Sequence, residues 1–300
     1  MSEIEVNGGI VVYDFVGPED GDVVVVTPGG RLGVDSAGVR QLALALADGG
    51  KRVLLWDRPN CGASDIQLFG RSESHMRADT LASMVKELVD GPVAVVGESS
   101  GAVDSIVFAV EYPHLVSTIA LGSIVGGAFS TMSLAGAHSI SALRTVRDAG
   151  VEGILQLDDG AGSWRDLVAA DPRNRERLLA LGAHEFEAVM TRWLDAYIPK
   201  PNEAVPGVAD WEIEGIDTPT LIMCGGAADH DHPKRTAFAV HCLIRTSRLV
   251  EAPWADGART RPSPDTGRGD SVVAPWSKAV PLLLHHLDAE PAGGSTALVL

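Results

Sequence analysis

Val93-Ala94-Val95-Val96-Gly97-Glu98-Ser99-Ser100-Gly101-Ala102-Val103 is the stretch that decides how this chain is read. Residues 93–96 are apolar and mostly β-branched, which suits a strand buried on both faces. Residues 102–111 read as a helix that stops before Pro113. Gly97-x-Ser99-x-Gly101 therefore lies directly between a strand and a helix. A serine on so sharp a turn stands free above the sheet, and glycines two residues to either side leave room for the crossing. Ser99 also falls at a helix N-terminus, where the dipole and the free N–H groups favour an anion. The backbone N–H of Ser100 would point at an oxyanion developing there. In a chain with 33 glycines the five-residue pattern alone would be weak. The strand before it and the helix after it give it weight.

Outward from the elbow the same rhythm repeats. Strands are expected at 10–13, 23–26, 53–56 and 119–121, and helices at 39–47 and 79–89. Strands alternating with helices imply an α/β fold, a mostly parallel sheet covered by helices on both faces. The rhythm breaks between about 126 and 215, where the pattern is helical, for example at 173–181 and 185–194. It returns with a strand at 219–223, a helix through Phe238, a strand at 248–250 and a last helix at 277–287. The expected organisation is a core made of 1–125 and 216–300 with a helical cap, 126–215, inserted into it. The tail from 291, with Gly-Gly-Ser-Thr, reads as frayed.

The 300 residues are 45% hydrophobic and 21% charged, ordinary globular usage. A net charge of −16 repels nucleic acid and anionic membrane surfaces. The three cysteines, Cys61, Cys224 and Cys242, are widely spaced with no Cys-x-x-Cys pair, against a disulfide framework or a zinc ribbon. The acidic start is not a secretory signal, and no run of about 18 apolar residues could span a bilayer. The expectation is a soluble cytoplasmic protein that takes a small molecule, with a homo-oligomer left open.

Four segments together resemble the α/β-hydrolase superfamily, over essentially the whole chain. They are Val26-Thr27-Pro28-Gly29-Gly30-Arg31, Asp57-Arg58-Pro59-Asn60-Cys61-Gly62-Ala63-Ser64-Asp65, the serine elbow, and Pro219 to Asp229 with its Gly225-Gly226-Ala227-Ala228-Asp229 loop. The likeness is nearest to capped members such as proline iminopeptidase-like enzymes, epoxide hydrolases and carbon–carbon bond hydrolases. It implies Ser99 as nucleophile, the N–H groups of Gly30 and Ser100 as the oxyanion hole, and Asp229 as the acid that orients an imidazole. Pro28 stands where the family has a histidine, so the internal hydrogen bonds of that loop must differ. Arg31, beside the oxyanion site, would meet a substrate carboxylate or else be a solvated loop arginine. Asp57, Arg58 and Ser64 would hold a turn. Asp229 has a plainer alternative as an Asx-turn or helix cap ahead of Pro233.

The family's histidine lies in the loop after the last strand. Here that loop, Pro253-Trp254-Ala255-Asp256-Gly257-Ala258-Arg259, holds none, nor does the chain onward to Pro275. A serine hydroxyl without a base is a weak nucleophile. Substitutes exist among nine histidines. His232 is the candidate base; His230 beside it, His138 in the insertion and His75 before a helix are others, while His285 and His286 read as surface residues. Asp229-His230-Asp231-His232 also invites a zinc or iron site, but the spacing and Pro233 argue against it, and no metal or other cofactor is expected. Arg31 and Trp254 are the candidate substrate-binding residues. Phe129, Met132, Trp164, Phe186, Met190 and Trp193 would line an apolar lid or form the lid's own core; Arg173, Arg175 and Arg177 read as a solvated helix face.

The expected function is cofactor-independent serine hydrolysis of a small, largely apolar carbonyl compound: an ester, lactone, amide or C–C bond. The empty loop keeps two alternatives open. One is a ligand-binding member of the fold that has lost hydrolysis. The other is a lyase-type enzyme of the same scaffold that forms no acyl-serine.

Overall fold

Valine-rich runs become the central strands because their branched side chains can be buried on both faces of a sheet that helices cover. The computed structural model describes residues 1–160, 162–226, 229–253 and 274–289. Its strands are β1 (Ser2–Val6), β2 (Gly9–Val16), β3 (Val23–Thr27), β4 (Arg52–Trp56), β5 (Val93–Glu98), β6 (Val116–Gly122), β7 (Thr220–Cys224) and β8 (Ser247–Glu251). They form an eight-stranded sheet in the order β1-β2-β4-β3-β5-β6-β7-β8. The β1–β2 and β2–β4 pairs are antiparallel; β4 through β8 run parallel. The helices are α1 (Ala37–Asp48), α2 (Glu73–Leu88), α3 (Ser100–Glu111), α4 (Ala128–Ala135), α5 (Ser141–Ile154), α6 (Trp164–Ala170), α7 (Pro172–Ala196), α8 (Asp210–Glu214), α9 (Lys234–Leu243) and α10 (Val280–Leu287). Among the described residues no helix is long and apolar enough to cross a membrane.

Alternation along the strands divides the core into two layers. Val24, Val26, Val53, Leu55, Val96 and Met223 pack with Leu42 and Leu46 of α1 and with Trp276 and Leu283 near the end of the described chain. Val25, Leu54, Val95, Ile119, Leu121 and Ile222 face the other way, onto α2, α3 and α9. The helical stretch between β6 and β7 carries a third core, built on Leu143, Val146, Trp164, Leu178, Phe186, Val189, Met190 and Trp193 and joined by Ile66 and by Met76 of α2. Phe129 and Met132 are not in it; they are 64% and 53% exposed. From Val205 the chain returns to the sheet, and Val205, Val208 and Ile213 join the α2/α3 layer.

Local chemistry explains where the elements depart from expectation. The helix expected over 79–89 begins at Glu73, because Ser72 caps it by accepting the His75 N–H at 3.2 Å. The two helices expected at 173–181 and 185–194 are one element, α7, interrupted at Gly182 (φ 77°, ψ 164°). The helix expected over 277–287 is divided: a 3₁₀ turn over Ala274–Ala279 leads into α10, with Pro281 in its first turn. Strand β1 was not expected; Asn7 and Gly8, at φ 53° and 77°, make the two-residue turn that pairs it with β2.

Candidate active site

The crossing from β5 to α3 holds Ser99 at φ 57°, ψ −123°. A non-glycine residue there carries about 1–3 kcal/mol of strain, and such strain clusters at functional sites. The surroundings enforce it. A Cβ on Gly97 would fall on Ser105 Oγ and the Gly101 carbonyl oxygen, and one on Gly101 would fall on the Thr27 and Pro28 carbonyl oxygens. The Ser99 N–H is tied to the Gly122 carbonyl of β6 at 3.1 Å. The serine is thus fixed over the C-terminal edge of the sheet, half-buried.

The loop after β7 brings the acid and an imidazole to that serine. Ser99 Oγ lies 2.8 Å from His232 Nε2. His232 Nδ1 lies 3.0 Å from both Asp229 Oδ1 and Asp229 Oδ2. Asp229 Oδ1 also accepts the backbone N–H of His232 at 3.1 Å. The two readings of Asp229 therefore coincide: one carboxylate makes the Asx-type turn and holds the ring that the turn bends back toward Ser99. Pro233, the N-cap of α9, fixes the exit from the turn. From the far side, Ser130 Oγ of α4 donates to the Asp231 carbonyl at 2.6 Å and accepts the Gly126 N–H at 3.2 Å. Asp229 and His232 are buried, whereas His230 and Asp231 between them are exposed. Among the described residues no group of three His, Cys, Asp or Glu side chains is placed to hold a metal ion.

The loop after β3 comes close, but its donors are arranged differently from expectation. The Gly29 N–H donates to Glu98 Oε2 at 3.1 Å, and the Gly30 N–H donates to Ser100 Oγ at 3.0 Å. Ser100 opens α3, where first-turn N–H groups have no partner within the helix. Arg31, read as meeting a substrate carboxylate or as a solvated loop arginine, is largely buried and engaged by the helical segment. Its Nη1 donates to the Gly162 carbonyl at 2.6 Å, Nη2 is 3.5 Å from Asp159, and the guanidinium lies 5.5 Å from the Trp164 ring centroid. An arginine beside a carbonyl, a carboxylate and an indole face has its charge already matched. Trp254 and the histidine-free 254–259 stretch lie outside the described residues.

No protein-family profile matches the chain. Among curated proteins, a 2-hydroxy-6-oxononadienedioate/2-hydroxy-6-oxononatrienedioate hydrolase of Burkholderia vietnamiensis is 34% identical over 116 residues, 38% of this chain. The Escherichia coli enzyme of the same name is 34% identical over 89 residues, 30% of this chain. The matches span only 40% and 30% of those relatives' lengths. Solved structures match throughout. A meta-cleavage product hydrolase from Pseudomonas fluorescens superposes with TM-score 0.59 at 19% identity, covering 96% of this chain and 97% of that one. An α/β hydrolase from a deep-sea metagenome gives 0.61 at 16%, covering 98% and 99%. The chain has the α/β-hydrolase fold.

On this α/β-hydrolase scaffold the other candidate histidines are engaged elsewhere. His75 Nδ1 is 2.6 Å from Ser72 Oγ, and burial, with Arg71 nearby, pushes its pKa down to about 4. His286 Nε2 lies 2.9 Å from the Ile119 carbonyl, and His285 is exposed. His138 Nδ1 lies 2.9 Å from Glu73 Oε2, in a buried cluster that the sequence did not disclose. Glu73 Oε1 accepts from Arg77 at 2.8 Å, and Tyr197 donates to Oε2 at 3.3 Å. Burial alone would raise the Glu73 pKa, but Arg77 and His138 outweigh it and hold the carboxyl well below its usual range. The cluster ties α2 of the sheet layer to two points of the helical segment.

The turn residues also reach further than expected. Asp57 accepts the Val34 and Ala63 N–H groups at 2.7 and 2.8 Å, and Ser64 Oγ donates to the Asp57 carbonyl at 2.6 Å. Arg58, 0% exposed, leaves that turn. It donates to Asp104 Oδ2 at 3.0 Å and to the Gly29 and Gly30 carbonyls at 3.4 and 2.6 Å. Arg173 and Arg177, read as a solvated face, both reach the buried Asp65, at 3.7 and 2.6 Å. The buried Asp65, whose Oδ2 also accepts the Ile10 N–H at 2.8 Å, draws both guanidinium groups toward it.

Proposed function

We propose that this chain is a cofactor-independent serine hydrolase acting on a small, largely apolar carbonyl compound, with Ser99 as nucleophile, His232 as base and Asp229 as its partner. The observation that carries the reading is the continuous path from Ser99 Oγ to His232 Nε2, 2.8 Å, and from His232 Nδ1 to Asp229, 3.0 Å. Ser99 Oγ adds to the carbonyl carbon while its proton passes to His232 Nε2 and the carbonyl π pair becomes the oxyanion. Collapse expels the leaving group, which takes the proton from His232. A water, deprotonated by the same imidazole, then hydrolyses the acyl-serine. Asp229 holds Nδ1–H and stabilises the imidazolium without itself taking the proton. The helices between β6 and β7 serve as the cap. The names of the curated relatives favour a C–C bond beside a carbonyl over an ester, lactone or amide. Fold likeness to other hydrolases is weaker support, since one fold hosts many chemistries.

The test is labelling by a fluorophosphonate probe, read by intact mass. Native protein is expected to gain one adduct, Ser99→Ala none, and His232→Ala one formed at least roughly a thousandfold more slowly. Equal labelling of Ser99→Ala overturns the proposal. A ligand-binding, non-hydrolytic member of the fold predicts that the folded native protein stays unlabelled; an imidazole 2.8 Å from Ser99 Oγ disfavours it.

A further inference from the structure

The hydrogen bonding of the loop after β3 bears on which group receives the oxyanion. In a trans peptide the carbonyl and the following N–H point in opposite directions. The peptide between Gly29 and Gly30 is held at both ends: Arg58 Nη2 approaches the Gly29 oxygen at 3.4 Å, and the Gly30 N–H meets Ser100 Oγ at 3.0 Å. The same Arg58 nitrogen holds the next carbonyl, Gly30, at 2.6 Å. Arg58 is in turn fixed by Asp104 at 3.0 Å, and Asp104 also takes Arg77 at 3.5 Å. Turning the Gly30 N–H away from Ser100 would also turn the Gly29 oxygen away from the buried Arg58. With Pro28 in place of the family's histidine, the carbonyls of this loop are held by a buried arginine.

The partner of that N–H has an unused proton. A serine hydroxyl accepts and donates at once. Ser100 Oγ accepts from Gly30, and among the described residues its own O–H has no acceptor. Ser100 is buried, follows the nucleophile directly and lines a narrow cavity of about 10 Å³ with Ser72, Val103, Leu134 and Tyr197, between α3 and the cap. A buried donor left without an acceptor is uncommon. One that accepts from an amide is also polarised to donate more strongly.

Resting on the serine-hydrolase reading above, we infer that the Ser100 hydroxyl is itself an oxyanion donor, acting beside the Ser100 backbone N–H. The Gly30 N–H then stands one bond back. It does not touch the oxyanion; it holds and polarises the hydroxyl that does. In this arrangement one residue supplies both contacts, and Arg58 is the positioning residue that keeps Gly30 in line.

The experiment uses the full chain with p-nitrophenyl butyrate as the probe substrate and a trifluoromethyl ketone as an oxyanion-forming ligand. Ser100→Ala is expected to lower kcat roughly 10²–10³-fold with little change in KM, and to weaken the ketone by a similar factor. Ser100→Thr, which keeps a hydroxyl, recovers most of the loss. Ser100→Val, matched to Thr in size, does not, and this pair decides the matter should the alanine variant not fold. If kcat is unchanged or rises in Ser100→Ala, or if Thr and Val behave alike, the hydroxyl is only occupying the Gly30 N–H and the inference is overturned. Failure of the native protein to acylate at Ser99 would remove the serine-hydrolase reading and this inference with it. Equal acylation of native and Ser100→Val protein would remove this inference alone.

Discussion

Asp229→Asn gives the sharpest account of how the site depends on its turn. The carboxylate accepts three contacts from one residue: the His232 backbone N–H at 3.1 Å, and Nδ1 from each oxygen at 3.0 Å. An asparagine can keep the backbone contact through its single oxygen, so the turn survives. Its NH₂ group then faces Nδ1, which must accept. The imidazole proton moves to Nε2, against Ser99 Oγ, where a base must have a lone pair. The neutral ring is held in the wrong tautomer, and the imidazolium loses its counter-charge. A substitution of this kind in a serine–histidine–aspartate site costs about 10⁴-fold in kcat, or about 5 kcal/mol at 1.36 kcal/mol per tenfold. The assay is steady-state hydrolysis of p-nitrophenyl butyrate, with circular dichroism and thermal melting to show that the fold persists. A fall of that order in kcat with KM nearly constant is expected. A loss below tenfold in a folded variant would refute the tautomer argument and leave Asp229 as a turn residue only.

Two further outcomes test the scaffold. Glu73→Gln leaves Arg77, His138 and Tyr197 around a neutral amide in a site that is 4% exposed; removing one partner of such a pair is expected to lower stability by about 3 kcal/mol in urea unfolding, and a change under about 0.5 kcal/mol would mean that the cluster does not fasten α2 to the helical segment. His75, with Ser72 on Nδ1, Glu111 3.8 Å from Nε2 and Arg71 nearby, has its pKa lowered from 6.5 to about 4. The unfolded chain therefore takes up a proton that the folded chain refuses between those values. Stability should fall as the pH drops through that window, by roughly 3 kcal/mol at most. His75→Gln should flatten that part of the profile, and an equally steep profile in the variant would show that other groups set it.

The parts of the fold visible in the sequence were those written in local pattern. The run from Val93 to Val103 carried strand, turn and helix together, and Gly97 and Gly101 lie where the chain crosses itself too closely for a Cβ. The place of Asp229 after a buried strand was equally legible. His232 was one candidate among several, because sequence distance does not say whether a ring three residues after an acid bends back or points away; the Asp-x-x-His-Pro spacing was the local clue. Strand β1 escaped because its apolar face is only Ile4 and Val6, alternating with Glu3 and Glu5, although Asn7-Gly8 signals a hairpin. The Glu73 cluster joins residues 65 and 124 positions apart, and Arg31 meets a loop 131 positions away. No periodicity in one chain encodes such meetings; they depend on how the helices between β6 and β7 are seated.

In the arrangement implied by the family likeness, acid and base come from separate loops, so two independent joints set the geometry of proton transfer. Here both side chains ride on one short turn between β7 and α9. Any drift of that segment moves them as a unit, and their mutual distance is insulated from the breathing of the sheet. All positional error falls on a single coordinate, the gap between the imidazole and the strained serine. One contact from α4, Ser130 on the Asp231 carbonyl, reaches across to that turn. Displacement of α4 would therefore be felt as a change in one distance, with the Asp229–His232 pair left intact.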